Sequence, residues 1–339
     1  VDKRDANLDL IRCVATLMVV SVHFFLNTTF YDLPIDNWQM IVMVFLRVLF
    51  IPCVPLFLIL SGYLMKNKKL SYRYYTQLAK VLIIYVQASV VIYLFRVFIF
   101  DEKLSIWEGV MGIFDYSTAP YAWYIEMYLA LYLLIPFLNK MWNSCRSVEE
   151  HRLLLFVLIS ITILPTFFNT FEKIIPDFFQ QMYPITYYFS GAYIATYKKE
   201  IKQKPVLLSG SVALFVSGVH NVLVSYGGVF KWQGFNDYYS YQAYFLAVFI
   251  FIGLLKVKIS TRWKQPLALI SNYTLYMYLL SYVLDTLVYP RFKAVVPSMK
   301  VALYWIVLPV FLVYTGSFVL AVGTKMSFSI LRRRHKARK

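Results

Sequence analysis

The sequence is short of charge. Only 15% of its 339 residues are Asp, Glu, Lys or Arg, against about 25% in a typical soluble domain. A chain this apolar cannot cover its surface with polar groups in water, which excludes an ordinary soluble domain and points to lipid as solvent. Acidic residues are scarcer still, 17 against 34 basic ones, leaving a net charge of +17. The basic residues fall in short runs between long apolar segments. That pattern argues against a nucleic-acid binder and suits loops at an anionic membrane face. Three cysteines, Cys13, Cys53 and Cys145, form no CxxC pair and no metal-ligand spacing. They read as two small buried apolar residues and one loop thiol, with no metal expected. Glycine (12) and proline (13) are too few for collagen-like or low-complexity chains. The first apolar run, Cys13 to Leu26, is followed by Asn27, Thr28, Thr29 and Phe30 rather than an A-x-A-like site. It is expected to be a retained helix and not a cleaved signal.

What is abundant is apolar sequence: 60% hydrophobic residues, 19% of the chain aromatic. A membrane-spanning helix needs about 20 mostly apolar residues. Candidate spans lie at 8–30, 40–65, 76–100, 120–139, 152–169, 180–197, 205–226, 240–256, 265–288 and 300–323. Loop charges supply an independent test, because cytoplasmic loops are enriched in Lys and Arg. Most basic residues fall in Lys3/Arg4, Lys66–Lys80, Lys140–Arg152, Lys198–Lys204, Lys256–Lys264 and Lys325–Lys339. The intervening loops hold only Lys103, Lys173, Lys231, Arg291, Lys293 and Lys300, and they carry acids such as Asp32, Asp101, Glu108 and Asp177. The expectation is an all-α integral membrane protein of about ten transmembrane helices with both termini cytoplasmic. It comprises one polytopic domain (1–324) and a basic tail (325–339) lying on anionic lipid.

Ionisable groups deep in a bilayer cost about 3 kcal/mol or more, so each one inside a span is a functional candidate. They are Asp9, Arg12, His23, Arg47, Arg96, Glu126, His220 and Asp285. In the first span Arg12 and His23 are eleven residues apart. That returns to within about 20° of the same helix face, about 16 Å further along. Asp9, Thr16 and Asn27 share the stripe, so this face should line a protein interior or a wet cavity. Asp9 is expected to pair with Arg12. His23 has two open readings: a histidine satisfied by a neighbouring helix, or a functional group. Arg47, Arg96 and Asp285 sit towards the outer ends of their spans, where snorkelling would explain them. Glu126 is expected to reach the outer interface.

At this point the residues resemble a known family. The basic residue, ten intervening residues and histidine of Arg12–His23 are similar to the first-helix hallmark of the membrane acyltransferase-3 family. Val54-Pro55-Leu56-Phe57-Leu58-Ile59-Leu60-Ser61-Gly62-Tyr63-Leu64 resembles its "PLFFxLSGYL" stretch. The segment Tyr72-Arg73 through Lys80 to Tyr85 resembles its following basic cluster. Trp123-Tyr124-Ile125 through Leu131-Tyr132-Leu133-Leu134-Ile135-Pro136 resembles "HLWYL…lYLLtP". Phe189-Ser190-Gly191-Ala192-Tyr193 and Ser271-Asn272-Tyr273 to Tyr278-Leu279-Leu280 match later signatures. The order is kept over nearly the whole chain. Departures exist. The paired arginines after the second span are thinned to Arg73 and Lys80, and Tyr121-Ala122 stands where a histidine often precedes the tryptophan. Tyr128 stands where some members carry an acid, with Glu126 out of register, and Ser281 replaces a late histidine.

The resemblance implies an O-acyltransferase of the surface-polysaccharide branch in a bacterial plasma membrane. It would move an acyl group, acetyl above all, from cytoplasmic acyl-CoA to a hydroxyl of a surface or lipid-linked glycan. His23 would act as base or acyl carrier, since imidazole can do either near neutral pH. Arg12 would orient the thioester end, and Arg73, Lys80 and Lys69 would hold CoA phosphates. Trp123, Glu126, Tyr128 and Tyr278, with Ser61, are the acceptor-side candidates. Ser61 also reads as a helix-packing serine beside Gly62. Association with a second copy stays open. The competing class is a transporter using the Arg12/His23 stripe as a relay or export path, although no inverted repeat is visible.

Overall fold

The computed structural model describes residues 4–337, with side chains through residue 330. The chain is all-helical, and among the described residues there is no β-strand. Polar caps divide the apolar sequence into elements. Asp5 accepts from the Asn7 amide and opens α1 (Ala6–Asn27); Asn37 caps α2 (Trp38–Phe50) by accepting from the Met40 amide. Pro52 separates α2 from α3 (Cys53–Met65). Ser71 caps the short α4 (Tyr72–Thr76), which leads through Gln77 into α5 (Leu78–Phe98). Ser105 and Glu108 form a reciprocal capping box on α6 (Ile106–Phe114).

The second half begins with α7 (Trp123–Ser144), followed by α8 (Val148–Thr162) under the Ser147 cap and α9 (Pro165–Phe168). Then come α10 (Tyr183–Tyr197), α11 (Gln203–Ser225) and α12 (Tyr241–Leu255). Helices α13 (Thr261–Ser271) and α14 (Thr274–Val295) form a pair bent by 65°. Helices α15 (Met299–Trp305) and α16 (Val307–Ala337) close the chain. The expected boundary at 324 falls inside α16. Residues 338 and 339, and the side chains of 331–337, lie outside the described residues.

Each of the ten expected segments contains a helix. Among the described residues, seven stretches are long and apolar enough to cross a membrane, and the bent α13–α14 pair makes an eighth. The two segments outside this set are 120–139 and 180–197. Their helices have evident reasons to fall short. α7 is interrupted by polar Glu126, Asn139, Lys140 and several tyrosines, and α10 is only 15 residues long.

Helix α1 is central. Of its apolar window 78% is buried, against 22% for α11, and it touches α2, α3, α12, α13, α14 and α16. A polar stripe on α1 is therefore enclosed by protein rather than lipid, as the sequence required. Helices α3 and α10 approach backbone to backbone. A Cβ at Gly62 would overlap the Tyr188 carbonyl, and one at Gly191 would overlap the Ile59 carbonyl. Small residues allow this contact where lipid provides no hydrophobic drive between helices. Ser61, next to Gly62, donates its hydroxyl to the Phe57 carbonyl at 2.9 Å, one turn back.

Candidate active site

The N-terminal end of α1 is locked to the α13–α14 bend. Arg4 donates two bonds to the Asp9 carboxylate, at 2.6 and 2.8 Å. It also donates to the Ala268 carbonyl at 3.0 Å and the Asn272 side chain at 3.1 Å. Ser271 donates to Asp9 at 2.7 Å, and Arg12 to Asp9 at 3.2 Å. The expected Asp9–Arg12 pair is present, with Arg4 as the stronger partner. Ser271-Asn272 thus has a physical role: it forms the turn that receives this cluster.

Beyond the cluster lies a cavity of about 200 Å³. Four residues singled out in the sequence line it together: Arg12, Ser61, Tyr128 and Tyr278. The rest of the wall is largely apolar, with Val19, Val54, Phe57 and Leu60 among its members, and Tyr124 and Thr274 complete its polar part. On α7, Tyr124, Tyr128 and Tyr132 recur every four residues and so share one face. Tyr124 and Tyr128 have ring centroids 5.9 Å apart, and Tyr128 and Tyr132 6.0 Å. Tyr132 stacks on Tyr74 of α4 at 4.5 Å, and the two residues exchange hydroxyl-to-carbonyl bonds of 2.6 and 3.0 Å.

His23 lies eleven residues further along α1, buried and outside the cavity lining. Its Nδ1 is 2.8 Å from Oδ2 of Asp285 on α14. The separation suits an ion pair, although the ring is turned so that an Nδ1–H would not point straight at the carboxylate. Tyr121 donates its hydroxyl to the same Oδ2 at 2.8 Å, and its ring lies 4.2 Å from the imidazole. The second carboxylate oxygen, Oδ1, is buried with no hydrogen-bond partner. Helix α14 presents Tyr278, Asp285 and Tyr289 at spacings of seven and four, so they share a face. Tyr278 donates to the Tyr121 carbonyl at 2.6 Å. The His23 cluster and the cavity therefore meet at Tyr278 and Tyr121.

Two expectations are corrected here. Asp285 does not snorkel. It is 1% exposed and faces His23, because α1 and α14 pack along their polar faces. Arg47 does not snorkel either. It is fully buried, donates to the Asn236 carbonyl and the Tyr31 hydroxyl, and lies over the rings of Phe230 and Trp232 at about 5 Å. The loop around 230–236 folds back onto it, which no local pattern in the sequence announces. Arg96 meets the loop after α5 instead, pairing with Glu102 at 2.7 Å.

The other sequence candidates lie apart from the cavity wall. Trp123 stacks on Tyr238 at 5.3 Å. Glu126 is exposed, and so are Lys69, Arg73 and Lys80. Lys80 immediately precedes Val81, which does line the cavity. Sequence reasoning missed Tyr121, which stands where the family often has histidine. Among the described residues, no group of three or more His, Cys, Asp or Glu side chains could hold a metal.

Comparison with curated proteins and with solved structures returns no match. The model of the acyltransferase-3 family, described as an acyltransferase domain, matches residues 5–326. That span takes in the Arg4–Asp9 lock, the Arg12 cavity, the His23–Asp285–Tyr121 cluster and α16. The chain is a multi-pass membrane protein and belongs to the acyltransferase-3 family.

Proposed function

We propose that this protein is an O-acyltransferase that moves a short acyl group, acetyl above all, from cytoplasmic acyl-CoA to a glycan hydroxyl on the outer side of a bacterial plasma membrane. The observation that carries the reading is the pairing of buried His23 with Asp285 and Tyr121, one cavity length beyond Arg12 on α1. Both termini are cytoplasmic in this reading, supported by the alternation of basic and acidic loops. Arg12 then stands at the inner end of the stripe and His23 towards the outer end.

Arg12 keeps donors free beyond its bond to Asp9 and holds the thioester end of the donor. Lys69, Arg73 and Lys80 are solvent-accessible and meet the phosphates as mobile charges. The acceptor hydroxyl gives its proton to His23 Nε2 while its oxygen attacks the thioester carbon. The C–S bond breaks, the C–O ester bond forms, and the proton passes from the imidazole to the departing thiolate. Asp285, with its Oδ2 2.8 Å from Nδ1, stabilises the imidazolium by its charge. A stepwise variant has the acyl group rest on the imidazole before the hydroxyl takes it. The acceptor is a surface or lipid-linked glycan, approached from the side of Tyr121 and Trp123.

The test replaces His23 with alanine or asparagine and reads glycan acylation by mass spectrometry. His23→Ala leaves Asp285 buried beside Tyr121 alone, so a fold check accompanies it, and His23→Asn retains a donor. Normal acylation by either folded variant removes the proposal. Arg12→Ala is expected to weaken acyl-CoA binding; unchanged affinity would remove its assigned role.

A further inference from the structure

The cavity beside Arg12 has chemistry that narrows its occupant. Several of its hydroxyls are already spent inside the protein. Ser61 donates to the Phe57 carbonyl, and Tyr278 to the Tyr121 carbonyl. Tyr128 turns its hydroxyl towards Ser61 and the Met65 sulfur, the latter at 3.9 Å. A sugar would need several of these groups as partners, because its own hydroxyls lose water on entry. The wall instead offers Val19, Val54, Phe57 and Leu60. At about 200 Å³ the space is on the scale of the cavities of about 150 Å³ that hold a benzene-sized group. It suits a short thioester end and excludes a long chain.

One side chain stands between this space and the histidine. Tyr278 lines the cavity, is 5% exposed, and is fixed at its far end by the 2.6 Å bond to the Tyr121 carbonyl. Its ring also meets Tyr124 edge-on at 5.6 Å. Val19 lines the same end and precedes His23 by one helical turn. We propose that Tyr278 is the residue that sets acyl length: its ring narrows the Arg12 cavity towards His23, leaving room for an acetyl-sized group while rejecting longer acyl chains. The inference rests on the acyl-CoA reading above. The reaction it filters is unchanged: the acyl carbon leaves the CoA sulfur for the acceptor oxygen, and the hydroxyl proton ends on the thiol.

The experiment uses the full-length protein in membrane vesicles that retain the surface and lipid-linked glycans as acyl acceptors, with acetyl-CoA, butyryl-CoA and hexanoyl-CoA, reading free thiol released per minute above that of vesicles carrying His23→Ala. One methylene in an apolar pocket is worth about tenfold or more in discrimination. Wild type is therefore expected to consume hexanoyl-CoA at least about tenfold more slowly than acetyl-CoA. Tyr278→Ala is expected to shift that ratio by at least about tenfold towards hexanoyl-CoA. Tyr278→Phe retains the ring and keeps the preference for acetyl. Tyr278→Leu serves if the alanine variant fails to fold, and Val54→Phe, elsewhere in the lining, should sharpen the preference for acetyl. An unchanged ratio in a folded Tyr278→Ala or Tyr278→Leu that still consumes acetyl-CoA overturns the role of Tyr278 alone. A wild type that prefers hexanoyl-CoA also overturns it. A wild type inert toward all three donors removes the acyl-CoA reading, and this inference with it.

Discussion

Replacing Asp285 with asparagine removes one charge and changes little else in shape. The carboxylate is 1% exposed, and one of its oxygens receives both the Tyr121 hydroxyl and the approach of His23 Nδ1, each at 2.8 Å. An amide there cannot stabilise an imidazolium, and if its NH2 group faces the ring it favours the wrong tautomer. A positioned general base contributes about 10²–10⁴ to rate, equivalent to about 3–5 kcal/mol of barrier. Asp285→Asn is therefore expected to lower the acyl-transfer rate by about two to four orders of magnitude. The apparent KM for acyl-CoA should stay within about threefold, because Arg12 and its cavity lie nearer the N-terminal end of α1, away from Asp285. Stability should hold or rise, since a buried carboxylate with an unpartnered Oδ1 gives up a desolvation cost when neutralised. The assay pairs initial rates in proteoliposomes with thermal unfolding in the same detergent or lipid. A folded Asp285→Asn protein turning over within about threefold of wild type would refute the reasoning. Equal losses in kcat and stability would also count against it, because they would make Asp285 a structural residue. Tyr121→Phe removes one bond to the same oxygen and should cost less, about tenfold in rate.

Further outcomes follow from the packing. Gly62→Ala and Gly191→Ala each force a Cβ into a facing carbonyl oxygen and should abolish the monodisperse peak in size-exclusion chromatography. Gly323→Ala, with open space around it, should be neutral or gain up to about 1 kcal/mol in helix propensity. Arg4→Ala should cost about 1–2 kcal/mol, because Arg4 is half-exposed. The loss should appear as faster hydrogen exchange over 261–273, and unchanged exchange there would disprove the proposed lock. Asp9→Asn should cost more, about 3–5 kcal/mol, since it leaves Arg4 and Arg12 side by side without their shared carboxylate. Thermal unfolding of the two variants reads the difference directly.

Membrane residence and helical class were legible in the sequence because they depend on quantities local to the chain. Apolar length and cap residues report what each segment can do before it meets any other. The Arg12–His23 stripe was legible for the same reason: a helix's own periodicity decides which of its residues share a face. That this face is enclosed followed from the cost of exposing charge to lipid, and α1 does sit at the centre. What faces the stripe was not legible. The His23–Asp285 contact joins residues more than 260 positions apart, and the cavity brings Ser61, Tyr128 and Tyr278 to Arg12 from three other helices. Nothing in the sequence near Asp285 or Arg47 distinguishes a snorkelling side chain from a buried one, because burial is a property of the neighbours. Periodicity determined which face of α1 carries the polar stripe. Only the packing of α3, α7 and α14 around that face decided which side chains complete it.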